Sequence, residues 1–245
     1  MRPLPFSGRS RELFRPDAVE KSMNRFAVLG AAMLLAAGPA SAGPTVSHPF
    51  SNSIPRGQVR RVIIDIPSGD IAVRNGTADR IRIVGSAGRE YDGYRARENA
   101  QRIADDIGAQ IFVDGDEALV RRSLGPHARS WTARNWISDY RVTVEVPRGM
   151  NIEIDTHFGD LAIDGDFGDV TTDLRAGDIE LRMPRASVRE LTASVRIGEV
   201  HTDLGDDSED HEGLFPGTTH FVNAVGHSRV EVHTTIGDVH VTLTR

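Results

Sequence analysis

From residue 140 onward, apolar residues fall on every second position in one short run after another. Tyr140, Val142, Val144 and Val146 make one run, Ile152, Ile154, Thr156 and Phe158 the next, and Leu161 and Ile163 a third. Leu191, Ala193, Val195 and Ile197 continue the pattern, followed by Val230 and Val232 and then by Val239, Val241 and Leu243. The positions between them carry Asp, Glu, Arg, His and Thr. A period of two with one polar side predicts strands that bury a single face.

A three-residue element, Gly-acid-aliphatic, punctuates these runs at Gly69-Asp70-Ile71, Gly159-Asp160-Leu161, Gly168-Asp169-Val170, Gly177-Asp178-Ile179, Gly198-Glu199-Val200 and Gly237-Asp238-Val239. A glycine admits the positive φ of a tight corner, and an Asp side chain can bond back to the amides of its own turn. Glu199 departs from the set, since the longer acid cannot close that short ring. Strands about nine residues apart with no helix between them fit a meandering antiparallel sheet and a solenoid alike. Self-similarity favours the solenoid, because a unit repeated at a fixed period must stack on its neighbours to bury its core. Eighteen residues separate Gly159 from Gly177, twenty-one separate Gly177 from Gly198, and thirty-nine separate Gly198 from Gly237. These intervals predict one coil, one coil and two coils. The expected fold is therefore all-β, a parallel β-solenoid or β-helix-like stack of short strands with Gly-Asp corners.

The first half departs from this rhythm. Val59–Ser86 supplies strands and the first corner, after which Ala96, Ala100, Ile103 and Ile107 follow at spacings of four, three and four. That spacing predicts an amphipathic helix over Asp92–Ile107, ended by Gly108 at its C′ position and flanking or capping the stack. A hairpin around Asp114-Gly115 comes next. The segment GPHARSWTARNWIS reads as a loop, in which Trp131 and Trp136 either plug the junction of helix and strands or stack on a sugar ring.

Ahead of all this, Arg25 precedes the apolar run Phe26–Ala37, about a dozen residues, and then Ala40-Ser41-Ala42. Charge, short apolar run and small-x-small describe a secretory signal cut before Gly43, with a run too short for the roughly 20 residues a membrane span needs. Met23 stands where such a signal begins, which marks residues 1–22 as an upstream extension. The expected organisation is an extension and signal peptide over 1–42, a flexible linker over 43–54 and one β-solenoid domain over 55–245.

Export sharpens the charge. The whole chain has a formal net charge of −6, and losing the six basic and three acidic residues of 1–42 takes it to about −9. An acidic surface disfavours nucleic acid and anionic membrane as partners. No cysteine is present. Neither a disulfide nor a lipid anchor on cysteine is available, so burial alone must hold an exported fold together.

The order in YRVTVEVPRGMNIEIDTHFGDLAIDGDFGDVTTDLRAGDIEL, a Val-Pro-x-Gly step, an Ile-rich strand and then Gly-Asp-aliphatic turns, resembles the bacterial putative-adhesin family, as do GLFPG at 213–217 and the closing VEVHTTIGDVHVTL. The resemblance spans roughly residues 55–245. It implies an exported domain of stacked β-coils with no established catalytic residues; no cofactor and no metal site is expected.

Asp160 and Asp178, one coil apart, would stand about 4.8 Å apart along a ladder, close to the separation of a retaining glycosidase pair and equally what any repeated corner acid gives. GHSRV at 226–230 lacks the closing Gly of a nucleophile elbow, HEGLF at 211–215 lacks the second His of a zinc-protease helix, and no Walker loop occurs. Seven of the nine histidines lie after residue 150, at His157, His201, His211, His220, His227, His233 and His240. Several take outward strand positions, where those of adjacent coils can meet, although their spacing shows no compact ligand pair. Asp206, Asp207, Glu209 and Asp210 offer hard oxygen ligands for Ca²⁺ without any recognised Ca²⁺ spacing.

The sequence thus predicts a non-enzymatic, exported β-solenoid in the periplasm or at the cell surface, an adhesion, scaffold or protein-interaction module. A carbohydrate-active β-helix enzyme and an envelope metal-binding protein are the competing classes. The C-terminal coil, with Val239, Val241 and Leu243 inward and Arg245 last, is expected to be a bare end of the stack and an association face for a second copy or an envelope partner.

Overall fold

The computed structural model describes residues 44–129, 139–204, 209–211 and 217–245. The chain opens with β1 (Thr45–Pro55), β2 (Arg61–Asp65), β3 (Asp70–Asn75) and β4 (Arg80–Glu90), continues through α1 (Tyr94–Asp105), and returns to strand with β5 (Ile107–Asp114) and β6 (Glu117–Leu124). Then follow β7 (Asp139–Val146), β8 (Asn151–Phe158), β9 (Leu161–Asp164), β10 (Val170–Ala176), β11 (Ile179–Pro184), β12 (Val188–Ile197) and β13 (Val200–Thr202). The last are β14 (Glu209–His211), β15 (Gly217–Val222), β16 (Ser228–Ile236) and β17 (Val239–Thr244).

These strands form two mixed sheets. The first runs β1-β4-β7-β3-β9-β11-β17-β13 and the second β14-β15-β12-β16-β10-β8-β2-β6-β5. Their middles are parallel, from β7 to β13 and from β6 to β12. Three of the four sheet ends are not: β1/β4, β4/β7, β5/β6, β12/β15 and β14/β15 pair antiparallel, while β13 pairs parallel with β17. The expectation of a wholly parallel stack is corrected accordingly. Two residues, Gly115 and Asp116, suffice to join β5 to β6, whereas a parallel neighbour needs a long crossover.

Each Gly-acid corner at Gly69, Gly159, Gly177, Gly198 and Gly237 carries the chain from a second-sheet strand to a first-sheet strand. Inward residues of both sheets meet in one core, with Ile64, Ile152, Leu174 and Val230 from one side and Ile71, Leu161, Leu181 and Val239 from the other. Each such side chain contributes roughly 1.5–3 kcal/mol on full burial, which is how the fold stands without disulfides.

The order of units along the stack differs from their order in the chain. β17 pairs with β11 on one side and β13 on the other, and β16 lies between β10 and β12. The C-terminal unit is therefore interior, not a bare end, and the thirty-nine residues from Gly198 to Gly237 do not hold two successive coils. They hold β14 and β15 and a return into the slot between two earlier units.

Three further expectations change. Residues 45–55 are strand β1, not a linker, paired residue for residue with β4 from Thr45↔Glu90 to Pro55↔Arg80. Its inward row, Val46, His48, Phe50, Asn52 and Ile54, mixes polar with apolar and so conceals its period. Pro49 and Pro55 are tolerated because β1 is an edge strand. The helix is shorter than predicted and its C-cap is Asp106 in the right-handed region, while Gly108 belongs to β5. The helix packs Ala100 and Ala104 against Val46 of β1 and sends Ile103 into the main core. Finally, Phe158 and Ile197, the last apolar positions before their corners, face solvent at 60% and 45% exposure, and Ile236, in the same place before its own corner, at 50%. Among the described residues no helix is long and apolar enough to cross a membrane.

Candidate functional site

The recurring acids form a ladder across the first sheet. The carboxylate of Asp70 accepts the backbone N–H of Asp160 at 3.4 Å, Asp160 accepts that of Asp178 at 3.2 Å, Asp178 that of Asp238 at 2.8 Å, and Asp238 that of Glu199 at 2.9 Å. The bonds run to the neighbouring strand, where an Asx-turn would have closed on its own loop. Glu199 ends the ladder at the corner leading into β13, beyond which the described residues place no further strand to which a short carboxylate must reach. Its exception in the sequence thereby gains a reason.

The glycines follow the same geometry. Gly69, Gly159, Gly177, Gly198 and Gly237 have φ between +117° and +141°. At Gly177 a Cβ would also strike the carbonyl oxygen of Gly159, so both backbone conformation and close approach call for glycine. Gly168 differs: its φ is not positive, and it serves the opposite corner, where a Cβ would strike Asn151 Oδ1. Asp169 there donates its N–H to Asn151 Oδ1 at 3.0 Å and accepts the N–H of Arg229 at 2.8 Å.

Register places a second row beside the acids on the outer face of the first sheet: Val84, Thr143, Ala72, Ala162, Glu180, His240 and His201, one from each strand from β4 to β13. The methyl groups of Ala72 and Ala162 sit low between longer neighbours and leave an open groove of about 890 Å³, edged by Asp70, Asp160 and Asp178. Arg141 stands at the Asp70 end, 3.7 Å from that carboxylate and 3.1 Å from Asp139. On the other side of the groove row, Arg74 binds Glu145 at 2.6 Å and Arg182 binds Glu180 at 3.0 Å. The groove is thus small and apolar at its floor and negative along one edge, suited to an extended ligand carrying positive charge.

At the β13 end, His201 and His240 lie face to face, ring centroids 4.7 Å apart and planes 13° apart. Asp238 completes a group whose ligand atoms lie within 4.8 Å of one another. The signal for this pairing was present as two copies of Gly-acid-Val-His, at 198–201 and 237–240. It was missed because the intervening thirty-nine residues implied strands two steps apart.

Other candidates sit elsewhere. His233 shares a hydrogen bond with Ser194 Oγ at 3.0 Å on the second sheet, and His220 lies 3.6 Å from Glu190. Asp206, Asp207, Trp131 and Trp136 lie outside the described residues, and Glu209 and Asp210 are described only as backbone of β14. Tyr140 is buried beneath the first sheet and donates to the carbonyl of Gly108 at 3.1 Å; burial pushes its phenol well up, with Arg122 opposing.

No protein-family model matches the chain, and no curated protein does. Among solved structures it is similar to a "putative cell adhesion protein" from Clostridium sporogenes ATCC 15579, at 8% identity and TM-score 0.45, over 81% of this chain and 100% of that one. A "putative adhesin" from Bacteroides fragilis NCTC 9343 gives 9% identity and TM-score 0.28 over 80% and 97%. A "putative lipid binding protein" from Parabacteroides distasonis ATCC 8503 gives 8% and 0.25 over 81% and 97%.

Proposed function

We propose that the chain is an exported, non-enzymatic binding module of the periplasm or cell surface, built as a β-solenoid with antiparallel strands at three of its four sheet ends, and that it holds an extended segment of an envelope protein in the groove over Ala72 and Ala162. The groove itself carries this reading: a low methyl floor beside a row of carboxylates fits a chain with basic side chains. The role of those carboxylates weighs against the carbohydrate-active alternative. Asp160 and Asp178 each accept a neighbouring backbone N–H, which is the work of a corner. Association through the C-terminal unit loses its basis, because that unit lies inside the stack.

The test compares full-length protein with Ala162→Arg, which fills the groove from an outward position, after melts establish equal stability. Envelope proteins retained by the first and lost by the second support the reading. An identical retained set for both would overturn it, and sugar release from pectin-, alginate- or peptidoglycan-type polymers that Asp160→Asn abolishes would establish the enzyme instead. Export is tested by sequencing the N-terminus of the secreted product, expected at Gly43; an intact Met1 or Met23 there overturns it.

A further inference from the structure

We propose that His201, His240 and Asp238 form a binding site for a divalent transition-metal ion, of the zinc or copper class, at the β13 end of the groove. The chemistry of the donor set comes first. Two imidazoles and a carboxylate are the ligands such ions take, while Mg²⁺ and Ca²⁺ prefer sites made of oxygen alone. Both histidines stand at matched register on adjacent parallel strands, His201↔His240, and Asp238 lies two residues before His240 on the same outer face.

Geometry supports convergence. One ligand atom from each of the three residues already lies within 4.8 Å of the others. Ligands on one tetrahedral ion, at about 2.0–2.2 Å each, stand roughly 3.3 Å apart. The three need therefore draw in by no more than about 1.5 Å, and both histidines are exposed while Asp238 is half-buried. Glu199 offers a fourth ligand, its Oε2 being 3.5 Å from His201 Nε2. Asp238 is held in place by the N–H of Glu199 on one oxygen, an arrangement that fixes a carboxylate ligand from behind.

The location gives the site a consequence. β13 has only three residues and is the edge of its sheet. An ion shared by His201 and His240 would clip this short strand to β17, so binding should stabilise the last unit by mass action. His240 also lines the groove, which places the ion beside any ligand held there. The inference stands independently of the proposed partner.

Titration calorimetry and thermal melts on full-length, chelator-treated protein decide it, with Zn²⁺, Cu²⁺ and Ni²⁺ added one at a time against Mg²⁺ and Ca²⁺. The expected result is one saturable site for a transition ion and a raised Tm. His201→Ala and His240→Ala should each weaken binding at least tenfold, Asp238→Asn should weaken it severalfold, and His227→Ala, at an exposed position elsewhere, should leave it unchanged. Ring-proton resonances of His201 and His240, assigned through the two variants, should shift on addition of the ion. A binding curve unaltered in both histidine variants, equal response to Mg²⁺, or no saturable site would overturn the proposal.

Discussion

Asp160 accepts the backbone N–H of Asp178 at 3.2 Å, and Asp178 in turn accepts that of Asp238 at 2.8 Å. Each acid thus fastens the corner of the next strand, and side chain and backbone ladders run side by side through Leu161 N–H to Asp178 O and Ile179 N–H to Asp238 O, both at 2.9 Å. Asn retains the accepting oxygen and Ala does not. Asp178→Asn should therefore keep nearly full stability, whereas Asp178→Ala should lose about 1 kcal/mol. Urea melts of the two variants check this, and equal losses would mean that the charge matters rather than the acceptor.

Gly177 should be the less replaceable of two neighbouring positions. It combines φ of +139° with a carbonyl of Gly159 where a Cβ would sit. Gly177→Val is expected to cost on the order of 3 kcal/mol or more, against a change within about 0.5 kcal/mol for Ala162→Val on the outer face. Denaturant midpoints for both decide the point; similar values would remove the steric argument.

Much of this architecture was legible in the sequence, for a physical reason. Alternation fixes which side of a strand is buried, and Ile152, Ile154, Leu161, Leu191 and Val239 all face the core as their parity requires. Parity fails where the backbone swings into a corner, so Phe158, Ile197 and Ile236 point outward although each continues an inward row. Order along the stack was not legible, because hydrophobic period says nothing of which unit neighbours which. The return of β16 and β17 between two earlier units shows only in long-range pairing, and without it the two Gly-acid-Val-His copies at 198–201 and 237–240 do not read as neighbours. Strand β1 was hidden by His48 and Asn52 in its inward row.

Asp106 should contribute to the acid limb of stability. Burial alone would raise its carboxyl, but the backbone N–H of His127 at 2.5 Å and its ring at 2.9 Å, with the N–H of Ala128, bring it below the ordinary 3.8. A carboxyl lowered by folding stabilises the folded state fully above its unfolded value, and that contribution fades as pH falls through the folded one. The stability difference between wild type and Asp106→Asn should therefore shrink as pH falls below about 4. Urea midpoints from about pH 5 to about pH 3 test this; a difference that grows over that range would reverse the sign.

Val241→Lys separates an interior C-terminal strand from a bare one. On an open end the lysine would project into solvent and change only what the protein associates with. In the observed order Val241 pairs with Leu181 on β11 and Thr202 on β13 and is 2% exposed in the core. An ammonium group there has no partner to compensate its loss of water. The variant should lose about 3 kcal/mol or more, and by attacking the stack from within it should loosen β13 together with β17. Sedimentation and denaturant melts on the same sample resolve the alternatives. A well-folded variant of normal stability with altered association would place β17 at an end, whereas loss of cooperative unfolding at low denaturant is what its seat between β11 and β13 requires.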